Sequence, residues 1–164
     1  MPGAHTPRTV LVTGASSGIG HELARHLAVD EHTTVVPHAR TPQEGQDAVD
    51  RLVKDGAEPL RLRTVAADFS KLSDVAAMAR RVTAEFPCLD ALVNNAAVAG
   101  ARSRILTIDG HEMTPQVNYL APYLLTRRLW PALSASLTGR ASWPPPCSAG
   151  TPPAARPSPT RSAR

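Results

Sequence analysis

One stretch constrains this chain more than any other: Thr9-Val10-Leu11-Val12-Thr13-Gly14-Ala15-Ser16-Ser17-Gly18-Ile19-Gly20, an apolar run that stops at a three-glycine loop and passes directly into a helical pattern. Glycine has no Cβ, so Gly14, Gly18 and Gly20 let the backbone turn sharply and let a phosphate come close to it. A helix that starts at the end of such a loop directs its unsatisfied N–H groups and the positive end of its dipole at the same point. The spacing is T-G-x-x-x-G-x-G rather than G-x-G-x-x-G, and no lysine follows the last glycine, which sets aside a Walker A loop. The stretch suits the pyrophosphate of a dinucleotide.

Around it the hydrophobic pattern alternates between strand and helix. Thr9 to Val12 reads as a strand buried on both faces, because its apolar residues are consecutive. Ile19, Leu23 and Leu27, with Ala24 and Ala28, recur four apart and predict the buried face of a helix beginning at Gly18. The β-branched run Thr33 to Val36 predicts a second strand. Thr41-Pro42-Gln43-Glu44 then supplies an N-cap, a proline at N1 and a capping-box acid for a helix that Gly56 ends. Leu60 to Ala67 predicts a third strand at a sheet edge. Ser70 is placed to cap a helix running to Phe86, with Leu72, Val75, Ala79, Val82 and Phe86 on its buried stripe. Leu89 to Val93 predicts a fourth strand that delivers Asn94-Asn95-Ala96-Ala97 at its carboxyl end. Four strand–helix alternations predict an α/β fold with a parallel sheet and right-handed crossovers.

His111 to Leu133 reads as one long helix interrupted by Pro115, Pro122 and Pro131. Pro122 removes the N–H that would bond the carbonyl of Asn118, at a cost of about 3 kcal/mol, which predicts a kink there. After Leu137 the composition changes abruptly. Residues 138–164 contain no Val, Ile, Leu, Met, Phe or Tyr, and seven of these 27 residues are proline. Too little apolar surface is available there to offset the entropy of ordering, so a disordered tail is expected. The domain reading is therefore a flexible N-terminus at 1–8, one domain at 9–137 and a Pro/Ala/Arg/Ser-rich tail at 138–164.

The tail also explains the charge. It holds Arg140, Arg156, Arg161 and Arg164 and no acid, and the remaining 14 basic residues balance 14 acids. The basic excess is thus no argument for a nucleic-acid-binding face. Cys88 and Cys147 lack metal-type spacing and fit a reducing, cytoplasmic setting, so neither a metal site nor a disulfide framework is expected. No signal peptide and no membrane span is expected either.

Thr13 to Gly20 resembles the glycine-rich loop of the short-chain dehydrogenase/reductase family, and the resemblance extends over residues 9 to about 137. It implies a Rossmann-type doubly wound sheet of about four strands here, in the order 3-2-1-4. It further implies that Thr13, Gly14, Ser16, Ser17, Gly18, Ile19 and Gly20 hold the diphosphate and adenosine ribose of a nicotinamide dinucleotide. Arg40 follows Ala39 just past the second strand, where similar proteins that use NAD carry an Asp for the ribose 2′-OH. A guanidinium without that acid favours the 2′-phosphate, so NADP is expected ahead of NAD; the alternative is a solvated loop charge. Asp68, followed by Phe69, matches the acid that bonds the adenine amino group in similar proteins, and could equally be a turn residue. Asn95, Ala96 and Ala97 match the segment beside the ribose and nicotinamide, with Ala97 where the family has glycine.

Asn118, in Gln116-Val117-Asn118-Tyr119, resembles the helix Asn of the family's catalytic tetrad, which holds a water of the proton relay. Its main-chain carbonyl, left free by Pro122, is expected to bind such a water; the alternative is a polar residue at a defective turn. The other members have no counterpart. A reductase of this kind needs a Ser and a Tyr whose pKa is lowered by a Lys four residues on. Here Tyr119 is followed at that spacing by Tyr123, and Tyr123 by Arg127; the only lysines are Lys54 and Lys71. Where a fifth strand should stand the chain reads Gly139-Arg140-Ala141-Ser142-Trp143-Pro144-Pro145-Pro146, and proline bars a central strand. The expectation is a cofactor-binding half, inactive by itself, whose residues from about 140 onward have the look of a GC-rich gene read out of frame. The alternatives are a non-catalytic nucleotide-binding remnant and a fragment of low stability, self-associating through an uncovered fourth-strand edge and the long helix.

Overall fold

The structure, a computed structural model, describes residues 7–99, 103–136 and 140–142. Five parallel strands lie in the order β3-β2-β1-β4-β5: β1 Arg8–Val12, β2 Thr33–Ala39, β3 Val65–Ala66, β4 Ala91–Val93 and β5 Arg140–Ser142. Helix α1 (Gly18–Ala28) and helix α2 (Pro42–Lys54) follow the first two strands, and α3 (Leu72–Glu85) follows the third. The last crossover is a short α turn, α4 (Met113–Pro115), a π turn (Gln116–Leu120) and α5 (Ala121–Ala135).

Side-chain alternation along the strands divides the core in two. Leu11, Val36 and Leu92 point to one face and pack with Val75, Met78 and Val82 of α3 and Leu125 and Leu129 of α5. Val10, Val12 and Val35 point to the other, against Ala24 and Ala28 of α1 and Leu52 of α2. The sheet is thus covered on both sides, as parallel sheets require. Each fully buried leucine among these contributes about 2 kcal/mol of burial. The predicted face of α1 is shifted: Ala24 and Ala28 are buried, Leu23 and Leu27 are partly so, and Ile19 stands 82% exposed.

Several boundaries differ from those the sequence predicts. The sheet has five strands rather than about four, because Arg140, Ala141 and Ser142 pair with Ala91, Leu92 and Val93. The described pairing, Arg140–Ser142, precedes Pro144–Pro146 in the chain, so those prolines are no bar to it. The edge of β4 is therefore covered, and residues 140–142 of the predicted tail are sheet; the rest of it, 138–139 and 143–164, lies outside the described residues. Strand β2 continues past Val36 through Pro37 to Ala39. A proline fits there because pairing with β3 lapses between the Val35–Leu62 bridge and the His38–Val65 pair, and the Thr64 hydroxyl donates to the Pro37 carbonyl. Conversely β3 is cut to two residues, since Pro59–Arg61 forms a 3₁₀ turn with Leu60 in solvent.

Ser70 does not cap α3. Its hydroxyl and amide both go to Oδ1 of Asp68, and the first amide of the helix, Leu72 N–H, is received by Oδ2 of Asp109. Nor is the last helix merely kinked: around Pro122 it widens into the π turn, where Ala121 N–H reaches the carbonyl of Gln116. The capping of α2 holds by half. Thr41 Oγ accepts from Glu44 N–H at 3.2 Å, but the Glu44 carboxylate turns to Arg40 instead of back to the cap.

Candidate functional site

The carboxyl ends of β1, β2, β3 and β4 open onto a cleft of about 370 Å³, where strand order reverses between β1 and β4. An open α/β sheet places its ligand crevice at such a reversal. The cleft is lined by Gly14, Ser16, Ser17 and Ile19 from the glycine loop, by Arg40 after β2, by Asp68 and Phe69 after β3, and by Asn95, Ala96 and Ala97 after β4. Ten of the predicted residues are thereby brought together from four separate segments. His38, Ala67 and Val98 also line it.

The glycines differ in what they do. Gly14 has φ +65°, and a Cβ there would stand 2.8 Å from the Cα of Ala96. Gly20 lies in α1 with an ordinary φ, but a Cβ would come 2.4 Å from both Nδ2 of Asn95 and the carbonyl of Gly14. Those two positions let the β1 loop close onto the β4 loop. Gly18 has φ +57° and open space around it, so it serves the turn and leaves room. The N-cap Ser17 makes no side-chain capping bond, and the first amides of α1 have no acceptor within the helix. This donor set and this open position fit an anionic group.

Thr13 does not line the cleft. It is fully buried beneath it, where its hydroxyl donates to Val93 O at 3.2 Å and accepts from the amides of Asn95 at 2.9 Å and Ala96 at 3.0 Å. Asn95 adds a second brace, its Nδ2 donating to the carbonyls of Thr13 at 2.9 Å and Gly14 at 3.2 Å. Thr13 and Gly20, predicted among the ligand contacts, do not line the cleft: Thr13 braces the loop from below, and Gly20 gives the loop room to close.

At the other end, Arg40 is 70% exposed and its Nη2 lies 2.9 Å from Glu44 Oε1, so a cation faces solvent already paired. The Asp68 carboxyl lines the cleft and also closes a turn through Ser70. Burial raises its pKa, but the hydroxyl and amide of Ser70, then Lys71 and Arg40, outweigh that, and it titrates below the usual aspartate range.

His38 gave no signal in the sequence as a lone histidine beside a proline. It is 3% exposed and meets the glycine loop twice: Gly14 N–H donates to its ring Nδ1 at 3.1 Å, and Ala15 N–H to its carbonyl at 2.8 Å. Its Nε2 is 3.0 Å from the carbonyl of Ala67, and its ring stacks on Phe69 with centroids 4.5 Å apart. Burial, outweighing the pull of the Ala67 carbonyl and of Glu44, lowers its pKa to about 4.

Asn118 sits in the π turn and spends its side chain on one residue. Val98 N–H donates to its Oδ1 at 2.8 Å, and its Nδ2 donates to Val98 O at 2.9 Å. It thus fixes the loop leaving β4. Tyr119 and Tyr123 are both more than half exposed, and neither lines the cleft.

The sequence pattern described as short chain dehydrogenase matches residues 8–141. Retinol dehydrogenase 13 of Mus musculus is 37% identical over 133 residues, covering 81% of this chain and 39% of its own length. The WW domain-containing oxidoreductase of Gallus gallus is 33% identical, covering 81% and 31%. Among solved structures, a metagenomic short-chain oxidoreductase in complex with NADP superposes with a TM-score of 0.69 at 33% identity, covering 83% of this chain and 60% of that one. NADPH-bound carbonyl reductase from chicken fatty liver superposes with a TM-score of 0.62 at 30% identity, covering 78% and 52%. The chain spans about two fifths of the length of the curated relatives it matches first.

Proposed function

Because this chain belongs to the short-chain dehydrogenase family, we propose that its cleft binds a nicotinamide dinucleotide, NADP ahead of NAD, as the cofactor-binding part of an oxidoreductase. The observation that carries this is the convergence of the glycine loop, Asp68 with Phe69 and Asn95 to Ala97 on one cleft at the sheet's reversal point. The first-turn amides of α1, with Ser16 and Ser17, hold the diphosphate. Asp68 accepts from the adenine amino group, and Arg40 meets the 2′-phosphate once it leaves Glu44. Asn95, Ala96 and Ala97 flank the ribose and nicotinamide, and the exposed Ile19 supplies apolar surface for a planar ring. When bound, the dinucleotide supplies hydride for exchange between a carbonyl and an alcohol.

The chain as given binds without turning over. No lysine stands four residues after Tyr119 or Tyr123, so no tyrosine here is poised to pass a proton to a substrate oxygen. Asn118 is the one tetrad residue with a counterpart, and its side chain holds Val98. A cytoplasmic location fits the free, exposed Cys88, and among the described residues no helix is long and apolar enough to cross a membrane. Tyr119, Tyr123 and Trp130, exposed at spacings of four and seven along one helical run, favour association between copies at that face.

Fluorescence titration of the 164-residue chain with NADPH and with NADH tests the cofactor, and a panel of carbonyl substrates tests turnover. Saturable NADPH binding with no turnover is the expected result. NADPH binding no tighter than that of the urea-unfolded chain removes the cofactor reading; measurable carbonyl reduction removes the inactivity.

A further inference from the structure

Two ends of the cleft are joined by a single buried side chain. The amide of Gly14 can only donate, so the Nδ1 it points to must be the unprotonated ring nitrogen of His38. The carbonyl of Ala67 can only accept, so Nε2 must carry the proton. The two partners therefore fix one tautomer of a neutral ring, and the stack on Phe69 fixes its plane. The backbone ties each segment only to β2, Ala15 N–H to the His38 carbonyl and Ala67 N–H to the Ala39 carbonyl, and β1 and β3 do not pair with each other, so the His38 ring is the direct link between them.

We propose that His38 is a positioning residue of the cofactor cleft, setting the glycine loop at a fixed distance from the adenine-side segment Ala67–Phe69. The idea rests on the cofactor reading above. By receiving the Gly14 amide in its ring and the Ala15 amide at its carbonyl, His38 removes both from the set of donors that can meet a phosphate. The diphosphate is then left to the amides further on, at the start of α1, where Gly18 leaves open space. The same ring sets where Phe69, and with it the neighbouring Asp68 carboxylate, stands relative to that point. An aliphatic residue in this place would take from the part-buried Gly14 N–H and the buried Ala67 carbonyl the ring partner each has here.

Two measurements on the full 164-residue chain decide it. Imidazole ¹⁵N spectra at pH 7 are expected to show His38 with a pyridine-like Nδ1 and a pyrrole-like Nε2, without exchange between tautomers; the opposite tautomer, or an averaged pair, overturns the proposal. In NADPH titrations, His38→Leu is expected to weaken binding about tenfold, one hydrogen bond's worth, while His38→Asn, whose Oδ1 can replace Nδ1 as the acceptor, stays within about threefold. A folded His38→Leu chain that binds as the wild type does overturns it as well. Should the wild type itself fail to take up NADPH, the cofactor reading falls, and the spectra alone decide whether His38 sets the loop.

Discussion

Asn118 clasps the backbone of Val98 at both of its polar atoms, accepting the amide at 2.8 Å and donating to the carbonyl at 2.9 Å. A side chain that satisfies both groups of one residue twenty positions away acts on that residue as a strand partner would. Its place in the π turn matters, because that turn absorbs the missing N–H of Pro122 and sets how Asn118 faces the β4 loop.

Removing the clasp is therefore expected to loosen the loop more than the fold. Asn118→Ala should cost about 1 kcal/mol, the net worth of a partly exposed pair of hydrogen bonds. Hydrogen exchange at the Val98 amide should rise well beyond what that loss of global stability explains. Equal rises at Val98 and at Leu92 in the core would show that the clasp is not local.

Gly18 and Gly20 should separate by mechanism. Gly20→Ala drives a methyl against Asn95 and the Gly14 carbonyl, both at 2.4 Å, and should destabilise by about 3 kcal/mol with loss of NADPH binding. Gly18→Ala meets nothing and bears only the cost of its φ of +57°, about 1 kcal/mol. Urea denaturation of the two variants checks the order; a Gly18→Ala chain less stable than Gly20→Ala would contradict it.

Glu44 competes for the guanidinium of Arg40. An exposed pair of this kind is worth well under about 1 kcal/mol, so Glu44→Gln should leave stability nearly unchanged. It should tighten NADPH about threefold and NADH hardly at all, because only the former carries the phosphate that Arg40 would meet. Parallel titrations with both nucleotides check this, and an equal gain for each would remove Arg40 from the discrimination.

His38 gives the fold a pH dependence of definite sign. Its pKa is about 4 in the folded chain against 6.5 for a free imidazole, so between those values the unfolded chain binds the extra proton. Its contribution is complete above pH 6.5 and is lost as pH falls towards 4, amounting to about 3 kcal/mol in all. The ionisable groups around it are Glu44 from α2, Arg40 and Asp68 in the same cleft and His21 from α1, whose Nδ1 lies 3.3 Å from the Ala15 carbonyl. Comparing the pH dependence of urea unfolding in wild type and His38→Leu isolates the share that belongs to His38; identical slopes between pH 6.5 and 4 would show that it has none.

Much of this was legible beforehand because it rests on local rules. Consecutive apolar residues in β1, the Thr41-Pro42 start of α2 and the stripe from Val75 to Val82 each state their element within a few residues. The cleft residues were legible too, since the glycine loop, Asp68 and Asn95 each follow a strand, and strand ends of a parallel sheet gather on one edge. What could not be read was set by partners distant in the chain. Ser70 looks like a cap until Asp109, 37 residues past Leu72, takes the amide. Pro37 looks like a strand end until a lapse in β3 pairing makes its missing N–H harmless.

The sequence by itself determined the alternation of strand and helix, the phosphate-type loop and the lack of a Tyr-x-x-x-Lys, since periodicity, glycine and spacing are properties of neighbours along the chain. Only the tertiary structure decided that Arg140 to Ser142 pairs as a fifth strand, that Thr13 braces the loop from below, and that His38 joins the two ends of the cleft. Each of those depends on which backbone groups remain without a hydrogen-bond partner once the sheet is assembled, and a chain read in one dimension does not carry that information.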